Sequence, residues 1–353
     1  MDTAPRAKRK TRFLPIQFWP EADRNGWTVA VQPSARLKRG GVAGHLKPVT
    51  HDNHARQYGN FLGFLDRAGS LRLDGPAAVN VTADNVDAYL TEIKRRLGSV
   101  SVHGSICMLR RVSQYMAPGR DFDWLAEIGK DLALTARPRS KSGRLVTTGT
   151  LLEAGLALIH EAECSRRMSR FARAKQVRNG LMVALLALCP IRRKNFAALE
   201  IGRSFVQIHG TWWIVLSASE TKEKRADERP INELLKPVIE RYLDQYRLVL
   251  ARSSHLASSA LWFSSRGVPM TAQQLTNVIT NTTLSTVGVA VNPHLFRTSA
   301  ASTVAAHGGD NPYLASALLH HTHPSVTNTH YNRATSFSAG ENFRQILRQY
   351  GKT

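Results

Sequence analysis

The chain has 353 residues, 42% of them hydrophobic, and carries 48 Lys and Arg against 26 Asp and Glu, a net charge of +22. That length and apolar content suffice for two packed domains, and the charge excess calls for a polyanionic partner, nucleic acid or an anionic membrane surface. The longest apolar run, residues 181–191, is interrupted by Pro190 and is too short to span a bilayer, which excludes a helical membrane protein.

Residues 1–50 open with a basic cluster (Arg6, Lys8, Arg9, Lys10, Arg12) that no apolar signal core follows. Trp27-Thr28-Val29-Ala30-Val31-Gln32 alternates like a strand. The segment reads as a basic arm, partly disordered and solvated, with an ordered accessory DNA arm as the alternative. From residue 51 to 134 apolar residues recur at helical spacing. Four groups stand out: Tyr58, Phe61, Leu62 and Leu65; Val86, Tyr89, Leu90 and Ile93 after a capping Thr82; Ile106, Leu109, Val112 and Tyr115; and Trp124, Leu125, Ile128 and Leu132. Four short helices of this kind form a compact bundle.

Residues 135–145 form a linker rich in small, polar and basic residues. Arg137, Arg139, Lys141 and Arg144 within it are candidate contacts to a DNA backbone, because phosphate neutralisation is independent of sequence. An ordinary solvated linker is the other reading. The rest, 146–353, begins with two apolar helices near 148–162 and 175–188, followed by a helical turn over 190–199. A hairpin is expected from 205–208 and 212–216, and a third strand near 229–231. Helices follow near 232–250 and 271–285, and a last one near 339–350 presents Phe343, Ile346, Leu347 and Tyr350 on one face. The predicted class is mainly α with a small antiparallel sheet. Cys107, Cys164 and Cys189 have no disulfide or zinc spacing and read as buried small hydrophobes of a protein in a reducing, cytoplasmic compartment.

The chemistry-bearing residues concentrate between Asn292 and Arg333. His294 and Arg297 are three apart and share one face of a helix. His320, His321 and His323 follow an apolar helical stretch, and Tyr331 comes ten residues after His321. A phenol is a poor nucleophile at neutral pH, its pKa being about 10. Beside imidazoles and a guanidinium that matches phosphate geometry, it can attack phosphorus and form a covalent intermediate. Such a transesterification also needs charge on the non-bridging oxygens, a proton acceptor and a proton donor. No carboxylate cluster with metal spacing lies nearby, so Arg and Lys must supply the charge. The His320–His323 run could instead hold a metal, although no cysteine or carboxylate completes a shell.

These residues resemble the tyrosine recombinases, the phage integrase family. The resemblance rests on His294-Leu295-Phe296-Arg297, Leu318-Leu319-His320-His321 and His330-Tyr331-Asn332-Arg333, in that order and spacing. His320 stands where the family usually has glycine. The family's first arginine is matched by Arg192 in Ile191-Arg192-Arg193-Lys194-Asn195-Phe196, with Arg193 as an alternative; Asn195 replaces an acidic residue. Its lysine is matched by Lys222 in Thr221-Lys222-Glu223-Lys224-Arg225, with Lys224 as an alternative. The resemblance implies that Tyr331 is the nucleophile and that Arg192 and Arg297 clamp the phosphate. It further implies His294 as proton acceptor, His321 (or His320) as a hydrogen-bond donor to phosphate, and Lys222 as proton donor to the leaving oxygen. It implies a SAM-like helical DNA-clamping domain before an α+β catalytic domain, with double-stranded DNA as partner and a homotetramer on two DNA sites. It implies site-specific strand exchange through a 3′-phosphotyrosyl intermediate, with no metal, ATP or other cofactor. Two rivals are a type IB topoisomerase-like enzyme and an accessory DNA-binding protein whose site has decayed.

Overall fold

The computed structural model describes residues 12–36, 39–138, 142–222, 224–252 and 255–307. The chain divides into two compact units, Met1–Ser140 and Lys141–Thr353. The first contains α1 (Glu21–Ala30), α2 (Pro48–Ala68), α3 (Ala83–Lys94), α4 (Ser99–Met116) and α5 (Asp123–Leu134). The second contains α6 (Thr148–Cys164), α7 (Arg170–Leu188), α8 (Arg193–Ala197), β1 (Phe205–Ile208), β2 (Thr211–Leu216) and β3 (Asp227–Pro230). It continues with α9 (Lys236–Arg241), α10 (Arg247–Leu250), α11 (Ala272–Val287) and α12 (Pro293–His307).

The apolar stripes of α2, α3 and α4 meet in the core of the first unit, with Tyr58, Phe61, Val86, Ile93, Ile106 and Val112 fully enclosed. Thr82 caps α3, its hydroxyl accepting from Asn85 N. The segment before α2 departs from the expected solvated arm. From residue 12 onward it belongs to this unit: Leu14, Trp19 and Trp27 are buried in the same core, and Leu14 N donates to Gly59 O at 2.7 Å. Trp27 to Ala30 form the last turn of α1 rather than a strand. Glu21 and Asp23 occupy the first turn of that helix, where carboxylates suit the positive end of the dipole. Asp23, Trp27 and Ala30 form its inward face, so packing overrides the local alternation. Asp23 ties three segments together, accepting from Tyr58 Oη at 2.8 Å and from Ala78 N at 2.6 Å. Burial pushes the Asp23 carboxyl pKa above the usual range, against these bonds. Residues 1–11, with most of the basic cluster, lie outside the described residues.

In the second unit α7 is the central element, buried on nearly every side from Val177 to Ala187. It crosses α6 where Gly155 and Gly180 face each other: a Cβ on Gly180 would lie 2.6 Å from Gly155 O and 2.8 Å from Ile159 Cγ1. The sheet is antiparallel in the order β1-β2-β3, with Val206 opposite Trp213 and Ile214 opposite Arg229. His209 and Gly210, both at positive φ, make the tight turn of the hairpin. The expected helix over 232–250 is subdivided: a π-helical segment, Tyr242–Tyr246, joins α9 to α10. Thr271 and Gln274 form a reciprocal capping box at the start of α11, and Gly288 ends it in the left-handed conformation. The predicted last helix, 339–350, lies outside the described residues.

Among the described residues no helix is long and apolar enough to cross a membrane. The cysteines do not form one class. All three are free, Cys189 is buried, Cys107 is half-buried, and Cys164 is exposed at the end of α6, correcting its expected burial. A cysteine in the last turn of an amphipathic helix has no packing partner unless the following chain covers it.

Candidate active site

Three segments converge on one cavity of the second unit. The first is the turn after α7. Cys189 and Pro190 break the helix, and Arg192 takes the N-cap position of α8 in an extended conformation. Phe196 and Leu199, both fully buried, anchor that short helix, and Trp262 Nε1 donates to Phe196 O at 2.9 Å. Arg192 is thereby held at the mouth of a turn whose far side is core.

The second segment is the start of α12. Asn292 Oδ1 accepts from His294 N at 3.0 Å and Leu295 N at 3.1 Å, and Pro293 fills the first helical position. This pairing suits a helix start: the amide side chain satisfies orphan donors, and the proline has no donor to lose. Leu295 and Phe296 point into the core. His294 and Arg297, one turn apart, border the cavity. Arg297 is only 8% exposed, and its Nη1 donates to Pro190 O at 2.6 Å. That bond joins α12 to the turn carrying Arg192 across 107 residues of sequence. The third segment is the connection between β2 and β3, which carries Lys222.

The cavity has a volume of about 560 Å³ and is lined by Arg192, Arg193, Lys194, Lys222, Thr276, Asn292, Pro293, His294 and Arg297. Among the described residues its lining has Arg192, Arg193, Lys194, Lys222 and Arg297 as cations and no carboxylate. Such a pocket favours an anion and suits phosphate in particular, since guanidinium groups pair with its oxygens two bonds at a time. Fixed cations also stabilise the charge that builds up as phosphorus becomes five-coordinate.

Of the residues singled out from sequence, Arg192, Lys222, His294 and Arg297 are brought together here. Arg193 lines the cavity beside Arg192. Lys224 is not among the lining residues and sits at φ 54° on the same connection. His320, His321 and Tyr331 lie outside the described residues. In the linker, Arg137 is exposed, with its backbone bonded in both directions to Ser99 Oγ. Arg144 is exposed on a 3₁₀ turn, Ser142–Arg144; Arg139 and Lys141 lie outside the described residues. Asn195 is 8% exposed on α8. Sequence reasoning missed Lys194, Thr276 and Asn292 as lining residues. The Asn-Pro pair ahead of a helix was a legible cap signal. Nothing in the sequence around Thr276 points to a site, because α11 reaches the cavity only through tertiary packing.

The sequence profile of the phage integrase family matches residues 158–336, just over half of the chain. This chain belongs to the phage integrase family. The match takes in every lining residue of the cavity and extends over His320, His321 and Tyr331. Among solved structures, XerH site-specific recombinase bound to its difH substrate aligns with a TM-score of 0.54 at 14% identity, covering 80% of this chain and 76% of that one. The likeness is one of fold, shared with tyrosine recombinases. A lambda integrase dimer bound to a core site gives 0.46 at 13% identity over 82% and 90% of the two chains. XerA recombinase gives 0.39 at 16% identity over 85% and 94%. No curated protein sequence matches this integrase-family chain.

Proposed function

We propose that the protein is a site-specific recombinase that cuts and rejoins double-stranded DNA through a 3′-phosphotyrosyl intermediate. The observation that carries this reading is the cavity of the second unit, where Arg192, Lys222, His294 and Arg297 meet from three separate segments in a chain of the phage integrase family. Arg192 and Arg297 hold the two non-bridging oxygens of the scissile phosphate. Tyr331 Oη attacks phosphorus and gives its proton to His294, while His321 donates a hydrogen bond to a phosphate oxygen. The P–O5′ bond breaks, and O5′ takes a proton from the Lys222 ammonium, leaving a free 5′-hydroxyl. A 5′-hydroxyl from a partner duplex then reverses the step. The phosphotyrosyl ester stores the energy of the broken diester, so the cycle balances without ATP, and the cations that line the cavity supply charge that a metal would otherwise bring.

DNA as partner is supported by the net charge of +22 and by the structural likeness to XerH, whose aligned structure is a complex with its difH substrate. The helical first unit acts as the clamp on the duplex. Arg137, Arg139, Lys141 and Arg144 of the linker contact backbone phosphates. Reciprocal exchange between two duplexes needs four cleavages, hence a homotetramer on two sites.

The deciding experiment is covalent trapping. Nicked, labelled duplexes tiled across the DNA that flanks the gene are incubated with the protein and denatured. The expected result is label carried on the protein by one duplex, absent with Tyr331→Phe. Label that persists in Tyr331→Phe places the nucleophile elsewhere; tight DNA binding without any adduct across the tiled set favours a DNA-binding protein without cleavage.

A further inference from the structure

The connection that carries Lys222 is long for a hairpin. β2 ends at Leu216 and β3 begins at Asp227, where hairpins usually need about two to five residues. A lysine side chain with four rotatable carbons on so long a loop would sample a wide volume. Proton transfer needs a donor within about 2.6–3.2 Å of the oxygen it serves. Something must therefore hold this loop, and two ties do so.

One tie is at the start of the loop. The Glu220 carboxylate accepts from Ser217 N at 3.0 Å and Ser217 Oγ at 2.9 Å, and also from Arg203 Nη1 at 2.8 Å. Arg203 in turn bonds Glu200 at 2.5 Å, on the turn that leads into β1. The Arg203 guanidinium holds the Glu220 carboxyl pKa below its usual range. Half of the Arg203 side chain is exposed, so water and salt screen this pair and it contributes modestly.

The other tie is Thr221. Its described neighbours in the loop, Ser217 to Ser219 and Lys222 to Ala226, are exposed, yet Thr221 is buried at 4%. Its Oγ1 donates to Arg225 O at 2.7 Å and accepts from Arg225 N at 3.1 Å. One hydroxyl thus closes a ring from 221 to 225 with Lys222 on its rim. Thr221 is the buried end of these bonds and Arg225 the exposed end, so it is the hydroxyl that has no solvent to turn to if they are lost. Thr221 is therefore the stronger tie, and it lies next in sequence to the lysine.

Resting on the reading of Lys222 as proton donor, we propose that Thr221, supported by the Glu220–Arg203 pair, is a positioning residue that holds the Lys222 ammonium at the leaving 5′-oxygen. The step it serves is the one in which P–O5′ breaks and O5′ takes the lysine proton. Thr221→Val keeps the shape and removes the hydroxyl's two bonds to Arg225 and its longer one to Ala218 O at 3.3 Å; Thr221→Ser keeps the bonds.

The test is single-turnover cleavage of the duplex found by trapping, made with either oxygen or sulfur bridging phosphorus and the 5′-carbon. A thiolate leaves without needing a proton. Thr221→Val is expected to cleave the oxygen substrate about 10²-fold more slowly, the cost of a misplacement of about 1 Å, and the sulfur substrate at the wild-type rate. Thr221→Ser is expected to match wild type on both, and DNA affinity to be the same in all three. Thr221→Val that equals wild type on oxygen, or is slowed equally on both substrates, overturns the proposal. Lys222→Ala separates the two failures. If sulfur restores Lys222→Ala while Thr221→Val is not slowed, only the positioning role fails. If sulfur does not restore Lys222→Ala, Lys222 is not the donor and both fall.

Discussion

Arg297 does two things with one guanidinium. It borders the cavity and, through its bond to Pro190 O, fixes how far α12 lies from the turn that carries Arg192. Spending part of the donor set on the protein leaves the remainder held in one orientation, which is what phosphate recognition requires. Cys189, next to Pro190, shows the opposite use of a polar atom. Burial pushes its thiol pKa up to about 11, so it stays protonated and unreactive at any pH the protein meets. Cys164 is exposed beside His160, with Sγ 3.6 Å from Nε2. Alkylation with iodoacetamide at pH 8.5, read by peptide mass spectrometry, should modify Cys164 within minutes and leave Cys189 unmodified until denaturant is added. Rapid labelling of Cys189 in the native protein would mean that the core beneath the cavity opens to solvent.

At the scale of elements, the site depends on where α8 and α12 begin. α8 has five residues and α12 opens at a proline, so neither start is set by helical propensity alone. For α12 the Asn292 side chain does the work, taking two of the orphan amides. Asn292→Ala should cost about 0.5–2 kcal/mol of stability in the second unit, measured by urea denaturation. It should also slow cleavage more than it weakens DNA binding, since His294 and Arg297 ride on the turn it caps. Loss of binding in step with cleavage would assign Asn292 to holding DNA instead. Here the sequence was informative in part. The stripes of α2, α3, α4, α6 and α11 were legible, since a helix with one buried face must repeat apolar residues every three or four positions, whereas α7, buried on nearly every side, was legible from its apolar content. The strand expected over 27–32 failed, because so short an alternating run is also compatible with the end of a helix, and only the burial of Trp27 against Trp19, with ring centroids 6.4 Å apart, decides between the two.

At the scale of the molecule, each unit has its own core, and the segment ahead of α2 belongs to the first. Trp19 is 3% exposed, its Nε1 donates to Leu14 O at 2.8 Å, and its ring meets Tyr58 edge-on. Trp19→Ala should therefore cost the first unit about 3–5 kcal/mol. Native-state hydrogen exchange should show lost protection of amides in α2 and unchanged protection in α7. Loss in both helices alike would mean that the two units unfold as one.

What the sequence supplied by itself was a set of candidates, Arg192, Lys222, His294, Arg297, His321 and Tyr331, through their resemblance in type and spacing to a known family, together with the excess of positive charge and the mainly helical class with a small sheet. Residue type, spacing and periodicity are local properties, and a reader of one dimension can see them. What the tertiary structure decided was placement. It set Lys222 rather than Lys224 in the cavity lining, put both Arg192 and Arg193 there, added Thr276 from a distant helix, and took residues 14–30 into a core. Each of these depends on contacts between groups far apart in the chain, such as Arg297 with Pro190. Such contacts form only when buried area and satisfied hydrogen bonds repay the entropy of closing the loop between them, and no local pattern records that balance.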